Sequence, residues 1–195
     1  YTISPCCSAY RADVNGDGTE GNLADISSLI SYVYLDGEEP PCPEEANVNG
    51  DDFDKVNLAD ITCLIDYAYV SHQKPCPCGT YRTPGTAKAA GKMNLVLTAF
   101  YDGDSTAIQL ESDIDVRGVQ AVFTGDGVGS PTRTLPTELD VFWHRKGETT
   151  TFGILDTDGG EIITAGQHEL VRVPGRYEPL EALVADMEHH NLNIT

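Results

Sequence analysis

Basic residues are scarce: 12 Lys and Arg stand against 31 Asp and Glu in 195 residues, a formal charge of −19. A field of that sign repels phosphate backbones, which argues against nucleic acid as a partner and in favour of cations. Long apolar runs are lacking too; no stretch of about 18 apolar residues occurs, so nothing reads as a membrane span. There is neither an initiating Met nor an export signal, and the opening "YTISPCC" reads as a mature chain whose signal has been removed. G-x-S-x-G, H-E-x-x-H and Cys/His nucleophile patterns are all missing. The roughly 115 residues beyond the first 80 leave no room for a barrel enzyme, so no catalytic activity is expected.

What is present is concentrated at the front. Residues 1–80 hold 14 of the acidic residues against 3 Lys and Arg. They also hold all six cysteines, Cys6, Cys7, Cys42, Cys63, Cys76 and Cys78. An even number in a segment too small for a generous core points to disulfides and an oxidising, extracellular setting. Zinc at Cys76 and Cys78 is the alternative, but "CPC" lacks the usual two-residue spacer.

The same segment is written twice. "NLADISSLISYVY" (22–34) and "NLADITCLIDYAY" (57–69) align at an offset of 35 without a gap. Leu23, Ile26, Leu29, Ile30 and Val33 in one copy, and Leu58, Ile61, Leu64, Ile65 and Ala68 in the other, recur at three- and four-residue steps, predicting two amphipathic helices. They should stop near "LDGEEPPCP" and "SHQKPCPCG".

Before each helix lies an oxygen-rich loop, "DVNGDGTEGNLADI" and "NVNGDDFDKVNLADI". A cation of calcium's size takes six to eight oxygens, which a glycine-broken turn with Asp or Asn at alternate positions can supply. The first loop offers Asp13, Asn15, Asp17, the Thr19 carbonyl, Asn22 and Asp25, with one residue more than an ordinary twelve-residue loop. The second offers Asn47, Asn49, Asp51, Lys55, Asn57 and Asp60, with two more. Two Ca²⁺ sites are therefore expected, the second weaker because Asn47 replaces Asp13. Solvated turns capped by Asn22 and Asn57 are the alternative.

After "CGTYRTPGTAKAAGK", a linker by composition, the period changes to alternation. "MNLVLTAFYDG", "STAIQLESD", "RGVQAVFTG", "ELDVFWH", "TTFGILDTDGGEIITAG", "HELVRVPG" and "LEALVADM" predict an antiparallel β-sandwich. The chain thus reads as α then β in two domains: a small EF-hand-like calcium-binding module (1–79), a linker (80–92) and a sandwich (93–195).

The duplicated D-x-N-G-D loops, each followed by one helix, resemble the dockerin domain, a calcium-dependent docking module, over residues 11–78. The resemblance implies that Leu23 with Ala24, and Leu58 with Ala59, touch a cohesin partner. These are apolar where the best-known dockerins carry Ser/Thr, and the alternative is that both leucines are core. "AIQLESDIDVRGVQAVF" and "GILDTDGGEIITAGQHELVRV" are similar to a cohesin-like jelly-roll sandwich, the latter to its later hairpin. Together they imply a plug and a socket on one chain, either joined within it or polymerised head-to-tail into an extracellular fibre. The rival is a carbohydrate-binding or scaffold-docking component of a polysaccharide-degrading complex, with Trp143, Phe142 and Tyr177 as a sugar platform.

Lesser motifs read blandly. "GDGVGS" (125–130) is a loop with no helix to hold a phosphate, and "DTDGGE" (156–161) a hairpin turn. His189 and His190 follow Glu188 as a solvated terminus. "NIT" makes Asn193 a candidate glycan acceptor.

Overall fold

The computed structural model describes residues 6–7, 9–51, 56–80, 94–127, 129–135, 138–187 and 191–194. Each repeat folds as loop then helix. α1 (Leu23–Tyr34) starts at Asn22 and α3 (Leu58–Ile65) at Asn57, and both starts are closed by a capping box. The Asn oxygen accepts from the backbone of the first turn, while Asp25 or Asp60 reaches back to the cap amide. Leu35 caps the C-terminus of α1, and Gly37 N donates to Ser31 O. α3 runs on into one π-type turn, Asp66–Val70. A short α2 (Pro43–Ala46), opened by its proline, lies between the repeats and was not foreseen.

Four of the six cysteines are bridged: Cys6 to Cys42 and Cys7 to Cys78. Cys63 and Cys76 stay outside both bridges. Arg11 is fully buried, and its backbone amide donates to the Cys76 carbonyl. Its guanidinium donates to the carbonyls of Asn47 (2.8 Å) and Thr80 (2.6 Å) and lies 3.6 Å from Glu44 Oε1. Beginning, middle and end of the helical half are thereby fastened to one side chain.

Nine strands follow among the described residues: β1 (Leu95–Tyr101), β2 (Ser105–Ser112), β3 (Val116–Gly125), β4 (Thr132–Arg133), β5 (Asp140–Lys146), β6 (Thr149–Leu155), β7 (Gly166–Pro174), β8 (Tyr177–Asp186) and β9 (Asn191–Ile194). They form a sandwich of two sheets, ordered β1-β2-β7-β4 and β5-β6-β3-β8-β9, and every pairing is antiparallel. Leu97, Ile108, Leu110, Val119, Phe123, Phe152, Ile154 and Leu170 fill the space between them. "LEALVADM" is strand, as its position in the series implied.

Two expectations fail here. "DTDGGE" is not a hairpin turn: it carries the chain from β6 in one sheet to β7 in the other, so the long "TTFGILDTDGGEIITAG" run is one strand and a crossover. Asp156 holds the turn by accepting from the amides of Asp158 and Glu161. Nor do the aromatics form a platform. On β5 successive side chains alternate faces, so Trp143 packs against the sandwich core and Phe142 against the helical half, while Tyr177 is buried.

The second core joins the halves. Ile26, Leu29, Ile30, Tyr34, Leu58, Ile61, Leu64 and Ile65 cluster with Leu155 and Ala185 of the sandwich. The helical half therefore lies on the outer face of the five-stranded sheet. That sheet is covered on both sides.

Candidate functional site

The two loops repeat one another in hydrogen bonds as well as in letters. Asp25 Oδ1 accepts from Asn15 N and Asp60 Oδ1 from Asn49 N, both at 3.2 Å. The other oxygen of each carboxylate accepts from Asn22 N or Asn57 N, both at 2.9 Å. Asn15 Nδ2 donates to Asp17 (3.0 Å) and Asn49 Nδ2 to Asp51 (2.9 Å). Each closing Asp thus ties the opening of its loop to the start of its helix.

Asn22 and Asn57 place their amide oxygens on the helix caps, at 2.6 Å from Ala24 N and 2.8 Å from Ala59 N. Asn22 Nδ2 donates to the Thr19 carbonyl. Lys55 lies outside the described residues, as do 52–54. In the first loop Asp13 Oδ2 accepts from Gly18 N, but Asp13 Oδ1 is buried without a hydrogen-bond partner.

Electrostatics separate the carboxylates. Burial is the main cause that raises Asp25, and it pushes the fully buried Asp60 up to about 8, with the neighbouring Asp51 adding to it. Asp17, at the surface, is held below the usual range by hydrogen bonds from Asn15 and Thr19. In the first loop the orphaned oxygen of Asp13 beside the buried Asp25, and in the second the buried Asp60 beside Asp51, fit a hard cation, which would supply the missing positive charge. Among the described residues, Cys7, Glu45 and Cys78 form a group of three whose ligand atoms all lie within 4.8 Å of one another. The two sulfurs there are joined as a disulfide, which removes both thiolates as ligands.

The contact between the halves is built from knobs and glycine seats. Tyr34 at the end of α1 stacks on Phe142 (5.8 Å, planes 10° apart), and its hydroxyl donates to Gln120 Oε1 (3.3 Å). A side chain at Gly153 would collide with the Tyr34 ring. Leu58 sits over Gly118, where a Cβ would meet it at 3.2 Å, and Val70 over Gly159, where a Cβ would meet it at 2.7 Å. Polar contacts flank the knobs: Asp36 lies 2.9 Å from His144 and pairs with Lys146 (3.5 Å), and Asp66 pairs with Arg117 (3.2 Å). Of the four residues implied to touch a partner, Leu58 and Ala59 are buried, and Leu58 contacts the sandwich; Leu23 and Ala24 are exposed.

Elsewhere the surface offers a shallow groove of about 220 Å³ lined by Thr124, Gly125, Asp126, Arg176 and Glu178. No helix among the described residues is long and apolar enough to cross a membrane. Asn193 pairs with Leu183 on the edge strand β9.

No protein-family model and no curated protein matches the chain. Solved structures do. A non-cellulosomal cohesin from the hyperthermophilic archaeon Archaeoglobus fulgidus matches at 13% identity and TM-score 0.42, over 54% of this chain and 86% of that one. A cohesin module from a Clostridium perfringens family 33 glycoside hydrolase matches at 14% and 0.43, over 53% and 91%. The seventh ScaB type I cohesin from Pseudobacteroides cellulosolvens matches at 9% and 0.35, over 52% and 84%. A segment of the sandwich resembles cohesin modules at low identity. None of the three is a dockerin.

Proposed function

We propose that this chain is a non-catalytic docking component of an extracellular assembly, in which a calcium-braced, dockerin-like helical half is seated on the sheet of its own sandwich. The observation that carries the reading is the Tyr34 knob, closed over by Phe142, Gln120 and the side-chain-free Gly153. A seat shaped for a residue of the same chain supports an intramolecular plug and socket, favoured by the high effective concentration of tethered partners. The two disulfides support an oxidising compartment. Asp13, Asn15, Asp17, Asp25 and the Thr19 carbonyl would hold one Ca²⁺, and Asn47, Asn49, Asp51 and Asp60 the other. Bound there, calcium would neutralise the buried acids and fix each loop to its helix start.

A head-to-tail fibre would use the same surfaces, exchanged between copies. Size-exclusion chromatography with in-line scattering, in calcium and in chelator, separates the readings, with metal content measured alongside. A compact monomer carrying two calcium ions, expanding on chelation, is expected. A calcium-free protein, or a monomer whose halves scatter as independent bodies in calcium, would overturn the proposal.

A further inference from the structure

The edges of a β-sandwich are where a further strand can be added, and three of the four edge strands here are guarded against it. β4 has two residues and β9 four. β5 carries His144, Arg145 and Lys146 and lies against the helical half, where Phe142 meets Tyr34 and Lys146 meets Asp36. β1, the outer strand of the four-stranded sheet, has none of these guards. Its seven residues, "LVLTAFY", hold no charge, no proline and no glycine, in a chain that is 22% charged. Among the described residues no strand pairs with its outer side.

The phase of that edge follows from the hairpin. β1 pairs with β2 in unbroken register from Leu95↔Ser112 to Tyr101↔Thr106. At its two ends Asp113 N donates to Asn94 O and Asp102 N to Ser105 O. Even-numbered residues of β1 therefore turn their backbone groups to β2, and Leu95, Leu97, Ala99 and Tyr101 turn theirs outward. The side chains alternate in the same way. Leu95, Leu97 and Ala99 pack on the sandwich core, while Val96, Thr98 and Phe100 stand on the outer face of the sheet, with Phe100 63% exposed.

A strand that completes this edge must be extended and uncharged, and β1 itself fits. Laid antiparallel on its own copy about a two-fold axis through Thr98, Leu95 meets Tyr101 of the second copy and Leu97 meets Ala99. Every outward backbone group of β1 is then paired, through about eight hydrogen bonds. On the outer face Val96 meets Phe100 and Thr98 meets Thr98, a β-branched–aromatic pair and a Thr–Thr pair of the kinds that stabilise neighbouring strands. Beyond the strand Asp102, held by Arg172 at 2.5 Å, would meet the neutral Asn94. Two copies of a chain with charge −19 thus meet along this seam with no like charges opposed. This is the self-pairing that uses all seven residues; a shift either way shortens the ladder.

We propose that the chain self-associates through β1, two copies sharing one continuous sheet across a two-fold axis at Thr98. The contact is isologous and closes at two copies. It uses the sheet turned away from the helical half, so it is independent of the docked reading above.

Sedimentation velocity of the full chain in calcium, over a concentration series, tests the proposal. One added strand pair is a small contact, so a monomer at about 1 µM and a dimer at about 500 µM are expected. Thr98→Lys sets two ammonium groups against each other on the axis and should stay monomeric throughout, as should Thr98→Glu with its two carboxylates. Mixed in equal amounts, the two variants should pair with each other at least about tenfold more tightly than either pairs with itself. That recovery also shows that both variants fold. A parent that is monomeric at every concentration overturns the proposal and leaves the edge to the chain's own flanking residues or to solvent. A dimer that both single variants retain, or that the mixture does not restore, overturns it too, as does association that continues beyond two copies.

Discussion

Tyr34 and Phe142, 108 positions apart in sequence, lie ring on ring at 5.8 Å, and the pair marks where the helical half meets the sandwich. Because the phenol is fully enclosed, truncation leaves a cavity as well as losing transfer free energy. Tyr34→Ala is expected to cost about 3 kcal/mol, and Tyr34→Phe, which deletes the bond to Gln120, about 1 kcal/mol. Urea unfolding of the three proteins measures both. Equal midpoints would mean that the contact contributes nothing.

Asp25→Asn and Asp60→Asn should each remove one calcium ion, because each carboxylate joins its loop to its helix. Elemental analysis after desalting reads the count, and unchanged content in both variants would show that other oxygens close the loops.

The buried acids give the calcium-free chain a distinctive pH response. Asp60 titrates near 8 when folded and near its ordinary 3.8 when unfolded, so between those values the folded chain binds more protons. Stability from this group is fully present below about pH 4 and is lost as pH rises through about 8, by up to about 6 kcal/mol. Saturating calcium should abolish the decline by pairing the carboxylate. Thermal melts in chelator and in calcium across pH 5–9 provide the comparison, and a melting point that rises with pH in chelator would contradict the assignment.

The Cys7–Cys78 bridge closes a loop of 71 residues' separation. Replacing both cysteines by serine is expected to destabilise the helical half by about 4 kcal/mol through the freed unfolded chain. Denaturant melts of the oxidised variant check this, and a cost below that of an ordinary surface change would indicate that Arg11 and the core hold the half closed without the bridge.

Trp143→Ala should lower stability by about 3 kcal/mol, since the ring packs against the sandwich core. Polysaccharide pull-down should be identical before and after the change.

Much of the fold was legible because its signals are local. The gapless repeat gave both helices, and Asn22 and Asn57 with Asp25 and Asp60 carried the capping boxes in plain sight. Alternation gave seven of the strands. It could not say which face is which on β5, where Phe142 and Trp143 point to different cores, because both faces of that sheet are covered. β4 and β9, of two and four residues, are too short for any period to register. The crossover at Asp156 and Glu161 carries the composition of a hairpin turn. The docking seats were invisible for a simpler reason: Gly118, Gly153 and Gly159 recognise neighbours by having no side chain, and an absent side chain leaves no pattern.

The Arg11 clasp makes the helical half indivisible in time as well as in space. The buried guanidinium reaches the carbonyls of both Asn47 and Thr80, so its full set of partners spans both repeats. The first repeat is therefore expected to complete its packing only together with the second. A single repeat expressed alone, with its cation unanswered, should remain unfolded.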